Sequence, residues 1–481
     1  MNSVLNTIFK YLLKRNVTKF LNEKNIAGRN ESFLRTKLRK LSTCNLGKKL
    51  GIEPHSTITD IPLTGYDFYQ DFFINPREGD LLYPIKQYVR ALTSGTMSKP
   101  KTFLLPRIAF KENIRKTGLS IFMISTHDGD RYTLEMGDVV YGNYPGGNFL
   151  AAFLANAFKS SQSRFFSLVP ENSGEMTFQD KVDYFVQNHK SIDVAFMPVT
   201  TLIDDIRERV EEPVSLKGFL TYDVSSIPLK EEIKEFCQTY PSTFYGSTET
   251  LLLAIPSVEH HGGFFFDWRF VYPEFIHEEH AIDPNISTVD DPPDTLSLWD
   301  LEVGERYQLV ATPFFNDSTR YLMPDILECI SDGDNILSIQ IPVFKYYSRS
   351  DKLLSLHNFT RINEEEMVQV LKNAGIPFLD FTVRKEMESA REYLSIYLEL
   401  RGVMSEQEVY DSLNRELMEY DKDWRDLSNF MNYTPLRVNI LPENTFKKYL
   451  ESLEGQVRVS RMGMRDERFQ QLLGYGETNT R

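Results

Sequence analysis

Between residues 139 and 237, short apolar runs alternate with helix-like stretches, a pattern that few architectures accept. Val139-Val140-Tyr141 reads as a strand leading through Gly142-Asn143-Tyr144-Pro145-Gly146-Gly147-Asn148 into the apolar helical run 149–155, and residues 164–169 return to an extended pattern. Residues 178–189 then read as a helix, 194–197 as a strand, 199–210 as a helix, 216–222 as a strand and 230–237 as a helix. Strands fed repeatedly through helices must be covered by them, so the block predicts a layered α/β domain.

The flanking sequence obeys other rules. Residues 1–50 read as helices, with Leu34, Leu38 and Leu41 on one face. Residues 260–345 are dense in aromatics, prolines and short extended runs such as Tyr307-Gln308-Leu309-Val310-Ala311-Thr312, which predicts a β-rich subdomain. Beyond Asp351 the alternation resumes on a smaller scale: helices at 362–373 and 406–420, strands at 381–383, 393–398 and 436–441, and a helix from Thr445. The expected organisation is a large N-terminal domain, residues 1–348, and a small mobile α+β C-terminal domain, residues 349–481, hinged near residues 348–353.

The formal net charge of −14 argues against nonspecific binding to nucleic acid or anionic membrane, because the summed field repels both. Cys44, Cys237 and Cys329 are few, far apart and odd in number, which points to a reducing compartment and away from a disulfide framework or a cysteine zinc site. His277-Glu278-Glu279-His280 has the spacing of a helical metal pair, but the surrounding prolines and aromatics favour surface histidines on a strand or loop. Residues 1–21 mix Ile8, Phe9, Leu12 and Leu13 with Lys10, Lys14 and Arg15. They lack the uninterrupted apolar core of a signal peptide and read as an amphipathic helix, packed on the body or, less favoured, on a membrane. No apolar run reaches transmembrane length, and the expected location is the cytoplasm.

The chemistry concentrates in four stretches. Leu92-Thr93-Ser94-Gly95-Thr96-Met97-Ser98-Lys99-Pro100-Lys101 packs four hydroxyls, one glycine and two lysines into ten residues. Backbone N–H groups, hydroxyls and lysines of such a loop suit a polyphosphate, although a solvated surface turn has the same composition. The others are Phe244-Tyr245-Gly246-Ser247-Thr248-Glu249-Thr250, Thr319-Arg320-Tyr321-Leu322-Met323-Pro324-Asp325 and Tyr347-Ser348-Arg349-Ser350-Asp351-Lys352.

In this order and at these separations the four stretches resemble the core motifs of the adenylate-forming superfamily, and most nearly the auxin-responsive acyl acid–amido synthetases and their prokaryotic relatives. Thr43-Cys44-Asn45-Leu46-Gly47-Lys48, Ile61-Pro62-Leu63-Thr64-Gly65-Tyr66 and the ending from Glu443 to Arg461 extend the resemblance over the chain. It implies that Ser94, Gly95, Thr96, Met97, Ser98 and Lys99 embrace the phosphates of ATP. Tyr245 would lie against adenine in the Gly246-Ser247-Thr248 turn, and Glu249 would bring a carboxylate to Mg²⁺. Asp325 would accept hydrogen bonds from the ribose hydroxyls, and Arg349 would reach a phosphate or ribose oxygen. The implied partners are a small carboxylic acid and an amino acid, or coenzyme A. Tyr144 to Phe149 and Val194 to Thr200 are candidate linings for the acid, with plain core as the other reading.

The chain departs from the superfamily's pattern at Met97 and Ser98, at Leu322 and Pro324, and at Arg458 and Ser460. Lys448 lies at the spacing of a catalytic C-terminal lysine, but Lys447 stands where a glycine is usual. The bland reading puts both lysines on a solvated helix face, which favours amide over thioester formation. The expected activity is ATP-dependent acid–amino acid ligation, with an acyl-CoA ligase and a noncatalytic nucleotide- or acyl-binding protein as alternatives.

Overall fold

The computed structural model describes the chain except residues 1–10, 12–14, 16, 93–100, 145–149, 163–164, 200, 223–225, 228, 285, 351–353, 357–359, 389–390, 422–423, 426–433, 454–457, 465 and 478–481. The chain divides into two compact units, with the changeover between Ser350 and Asp351. The expected hinge at Asp351 lies outside the described residues.

In the first unit, the alternating block forms a five-stranded, wholly parallel sheet in the order Ser167–Val169, Val139–Gly142, Val194–Phe196, Gly218–Thr221, Pro241–Thr243. The strands contribute to two cores. Val140, Val194 and Leu220 pack in one, and their neighbours Tyr141, Ala195 and Phe219 in another. Side chains of successive strand residues point to opposite faces, so an all-apolar strand can only be satisfied by burial on both sides. The chain order reverses between the strands at 139–142 and 194–196, where Asn143 N–H donates to the Phe196 carbonyl at 2.9 Å. Crevices beyond the carboxyl ends of such strands are where this architecture places ligands.

Two helical segments depart from regular α-helix. The first is the helical segment that follows Pro106: Arg107–Asn113, a widened turn at Ile114–Gly118, then Leu119–Ser125. The widened turn carries Thr117, whose hydroxyl donates to Asp267 at 2.9 Å. Asp267 is also paired with Arg269 at 2.8 Å, and all three side chains are buried. The helix expected at 199–210 is a wide turn at Thr201–Ile206 and a tight one at Arg207–Arg209. Leu202, Ile203 and Ile206 of the wide turn all lie in the core.

The β-rich segment forms a nine-stranded sheet. Its central path is antiparallel: Ala254–Pro256, Phe264–Phe266, Val343–Arg349, Tyr321–Ser331, Arg306–Pro313, Val271–His277, Leu296–Ser297. Leu63–Thr64 joins it by pairing with Thr288–Val289 and with Tyr321. Arg320 pins this corner. Its buried guanidinium meets Glu274 at 2.9 Å and donates to the Ile61 carbonyl at 2.6 Å and to Thr295 Oγ1 at 2.9 Å. Burial pushes the Glu274 carboxyl up, and the Arg320 charge pulls it back. His277 ends its strand and meets Glu305 at 3.0 Å, as a surface histidine does. Among the described residues no group of three or more His, Cys, Asp or Glu side chains could hold a metal ion, and no helix is long and apolar enough to cross a membrane.

The second unit contains the sheet Phe378–Glu388, Arg391–Leu400, Leu436–Leu441, the last pair parallel. Helices Glu364–Asn373 and Glu406–Tyr420 contribute Met367, Leu371, Val409, Leu413 and Leu417 to its core. The expected helix at 362–373 begins two residues later because Asn363 caps it, its side chain accepting from Glu366 N. Arg461, from the terminal motif, is an internal tie, donating to Asp380 Oδ1 at 2.7 Å.

Replacing Arg320 by Met should lower stability by roughly 3–5 kcal/mol, because Glu274 would be left as an uncompensated buried charge. Chemical denaturation followed by circular dichroism checks this, and a loss below about 1 kcal/mol would contradict the role.

Candidate active site

The final parallel strand, Pro241–Thr243, runs out into the Tyr245 motif. The Tyr245 carbonyl accepts from the N–H groups of both Leu253 and Ala254, at 2.9 and 3.1 Å, so the chain must double back at once. It does so in a two-stranded hairpin in which Leu251 pairs with Ser247 and Leu252 with Gly246. Gly246 is required here, since a Cβ would lie 2.5 Å from the Leu251 carbonyl oxygen. At the tip, Thr250 N–H donates to the Ser247 carbonyl, and the two hydroxyls lie 2.8 Å apart.

Two asparagine side chains hold the hairpin from outside. Asn113, fully buried, donates to the Leu252 carbonyl at 2.7 Å and accepts from its N–H at 3.2 Å. Asn316 donates to the Glu249 carbonyl at 2.8 Å. Glu249 is half-buried. Sequence reasoning singled out neither asparagine. Asn113 reads as an ordinary helix residue, and Asn316 in Phe314-Phe315-Asn316-Asp317 reads as turn chemistry.

Tyr245, just past the last strand of the parallel sheet, reaches the nine-stranded sheet. Its ring stacks on Phe264 with centroids 5.5 Å apart, and its hydroxyl donates to Asp325 Oδ2 at 2.5 Å. Both residues are buried. Burial first, and then the Asp325 carboxylate, push the phenol well above its usual range, so it stays a proton donor. Asp325 lies on Tyr321–Ser331, directly opposite Arg349 on Val343–Arg349, and the Ser350 N–H donates to the Pro324 carbonyl at 2.7 Å.

The structure therefore brings together Tyr245, Gly246, Ser247, Thr248, Glu249, Asp325 and the backbone of Arg349. The Arg349 side chain lies outside what is described. Ser94, Gly95, Thr96, Met97, Ser98 and Lys99 also lie outside; their flanking strands, Tyr88–Leu92 and Thr102–Pro106, pair antiparallel. Lys448 belongs to the second unit, on the helix Thr445–Glu451, half-buried beside an exposed Lys447. Glu399 holds the start of that helix, accepting from Asn444 N at 2.6 Å and Phe446 N at 3.0 Å. Of the candidate acid-pocket linings, residues 145–149 and 200 are not described, whereas Tyr144, Val194, Ala195, Met197 and Val199 are buried.

Tyr245→Phe should lower stability by about 1.5–3 kcal/mol, the worth of a hydrogen bond to a charged group. Denaturant unfolding measures it, and a change within about 0.5 kcal/mol would show that the bond does not hold the sheets.

Residues 264–349 match the model of the GH3 family central domain. Among solved structures, the chain is similar to AtGH3.15 acyl acid amido synthetase in complex with 2,4-DB, at 14% identity over 97% of this chain and 95% of that one, with a TM-score of 0.67. It is similar to 2-hydroxyisobutyryl-CoA ligase in the postadenylation state in complex with 2-HIB-AMP, at 14% identity over 95% and 92% of the two chains, with a TM-score of 0.63. No curated protein sequence matches it. The resemblance read from the motifs is thus borne out: the chain has the α/β fold of solved acyl acid amido synthetase and acyl-CoA ligase structures, and most of the strands of its central sheet lie in the span that matches the GH3 family central domain.

Proposed function

We propose that the protein is an ATP-dependent ligase that adenylates a small carboxylic acid and transfers the acyl group to the amine of an amino acid. The observation that carries this is the joining of the Glu249 turn, through Tyr245, to Asp325 across two sheets. A nucleotide bound there would find an acidic side chain for its ribose hydroxyls and a tyrosine ring for its base. By the motif resemblance, Ser94, Thr96 and Lys99, outside the described residues, would supply the phosphate contacts. Glu249 offers a hard carboxylate oxygen on a braced turn, the donor type Mg²⁺ takes, and the bound cation would neutralise phosphate charge.

The substrate carboxylate attacks the α-phosphorus, the bond to the β-phosphate bridging oxygen breaks, and pyrophosphate leaves. The amine then attacks the acyl carbonyl, loses a proton and expels AMP. The chain's work is orientation and charge stabilisation, with no covalent protein nucleophile. Three free, buried cysteines suit a reducing cytoplasm. A second reading, acyl-CoA ligation, is favoured by Lys448 on a helix whose start Glu399 holds.

Pyrophosphate should exchange into ATP in the presence of one member of a panel of acids. Glu249→Ala and Asp325→Ala should each lower that exchange at least ~10-fold, from the loss of ~1.5–3 kcal/mol of charge-assisted contact. ATP binding without exchange for any acid would favour a noncatalytic nucleotide binder. Offering the trapped adenylate an amino acid or coenzyme A decides the acceptor. In the thioester reading, Lys448→Ala keeps exchange and loses coenzyme-A transfer; in the amide reading, transfer to the amino acid persists.

A further inference from the structure

We infer that Asn316 is a positioning residue for Glu249, setting the direction of its carboxylate through the backbone; this rests on the ligase reading above. Asn316 lies between the strands Arg306–Pro313 and Tyr321–Ser331, and it is 2% exposed. Its amide donates to the main-chain carbonyl of Glu249 at 2.8 Å. Holding that oxygen orients the peptide plane between Glu249 and Thr250, and with it the direction in which the Glu249 side chain leaves the backbone.

Asn316 is itself anchored. The buried Lys37, on the helix Ile26–Leu41, donates to the carbonyls of Pro313, at 2.7 Å, and Ser318 on either side of it. Asp317 accepts from Leu82 N at 2.8 Å and from the Tyr88 hydroxyl at 2.7 Å. Burial pushes the Lys37 ammonium down to about 7 and the Asp317 carboxyl up to about 6, and each charge partly offsets the other's shift. Tyr88 opens the strand Tyr88–Leu92, which leads into the candidate phosphate loop. One short segment therefore braces both the Glu249 turn and the strand entering that loop.

A second observation concerns the other end of the same amide. Asn316 Oδ1 is buried with no hydrogen-bond partner. A buried acceptor left unmatched is unfavourable, and a side chain serving only packing would be apolar. The contact that the amide does make, to Glu249, is what its presence here accomplishes.

The test uses the full-length protein with Asn316→Asp, which keeps the shape and replaces the donor, and Asn316→Ala. In both variants the Mg²⁺ concentration for half-maximal pyrophosphate exchange should rise about 5-fold, the effect of one ordinary hydrogen bond. ATP affinity measured in EDTA should stay within about 2-fold of wild type, because the nucleotide contacts proposed for Tyr245 and Asp325 are untouched. Amide hydrogen exchange should quicken in peptides spanning residues 246–252 and not across the rest of the unit. An unchanged Mg²⁺ requirement, or faster exchange throughout the unit, would overturn the inference. Wild-type protein that binds no ATP would overturn the ligase reading instead, leaving hydrogen exchange at 246–252 to decide whether Asn316 holds the turn.

Discussion

The hydrogen bond from Tyr245 to Asp325 is the contact on which the first unit depends. It joins a parallel sheet to an antiparallel one, and it does so between two buried groups. A buried carboxylate tolerates that environment only when strong donors face it, and a phenol held protonated by its surroundings is such a donor. The stacking of Tyr245 on Phe264 adds an apolar contact to the same crossing. Because the Glu249 turn follows Tyr245 by only a few residues, the bond that joins the sheets also places the turn.

The two sheets arise from different local physics. The parallel one is apolar on both faces, so it forms only where helices cover it, and it divides the interior into two cores. The central sheet closes instead by hairpins and aromatic packing, with Phe266, Phe275 and Phe344 in mutual ring contact and Phe264 against Phe266. Buried polar groups then fix how the layers meet. Asp267 with Arg269 and Thr117 joins the widened helix turn to the central segment, and Arg320 with Glu274 ties the Ile61 corner. Each is fully engaged by hydrogen bonds, the condition under which buried charge specifies one arrangement and not several.

Much of this was legible in the residues. The helix Lys230–Cys237 and the strand Leu436–Leu441 fall where their periodicity placed them, because their apolar faces agree with their eventual burial. The widened turns at Ile114–Gly118 and Thr201–Ile206 were not legible, since apolar periodicity does not separate a widened turn from an ordinary one; in the first the Thr117 hydroxyl meets Asp267, and in the second Leu202 and Ile206 lie in one core. Arg320 and Arg461 lie in motifs that suggest ligand chemistry, and both turn out to be engaged with buried or half-buried carboxylates of their own unit.

What the sequence determined by itself was the succession of strands and helices, the composition of each layer, and the identity of the chemistry-bearing stretches. Hydrophobic period and turn chemistry are local properties and can be read locally. Only the tertiary structure decided that Tyr245 would meet Asp325, eighty residues on, that Arg349 would face Asp325 across a strand pair, and that Asn113 and Asn316 would clamp the Glu249 hairpin. Such contacts depend on strand register and on the route of the chain between sheets. A lone asparagine carries no local signal of the carbonyl it will hold, because its partner is chosen by the folding of residues far away in the chain.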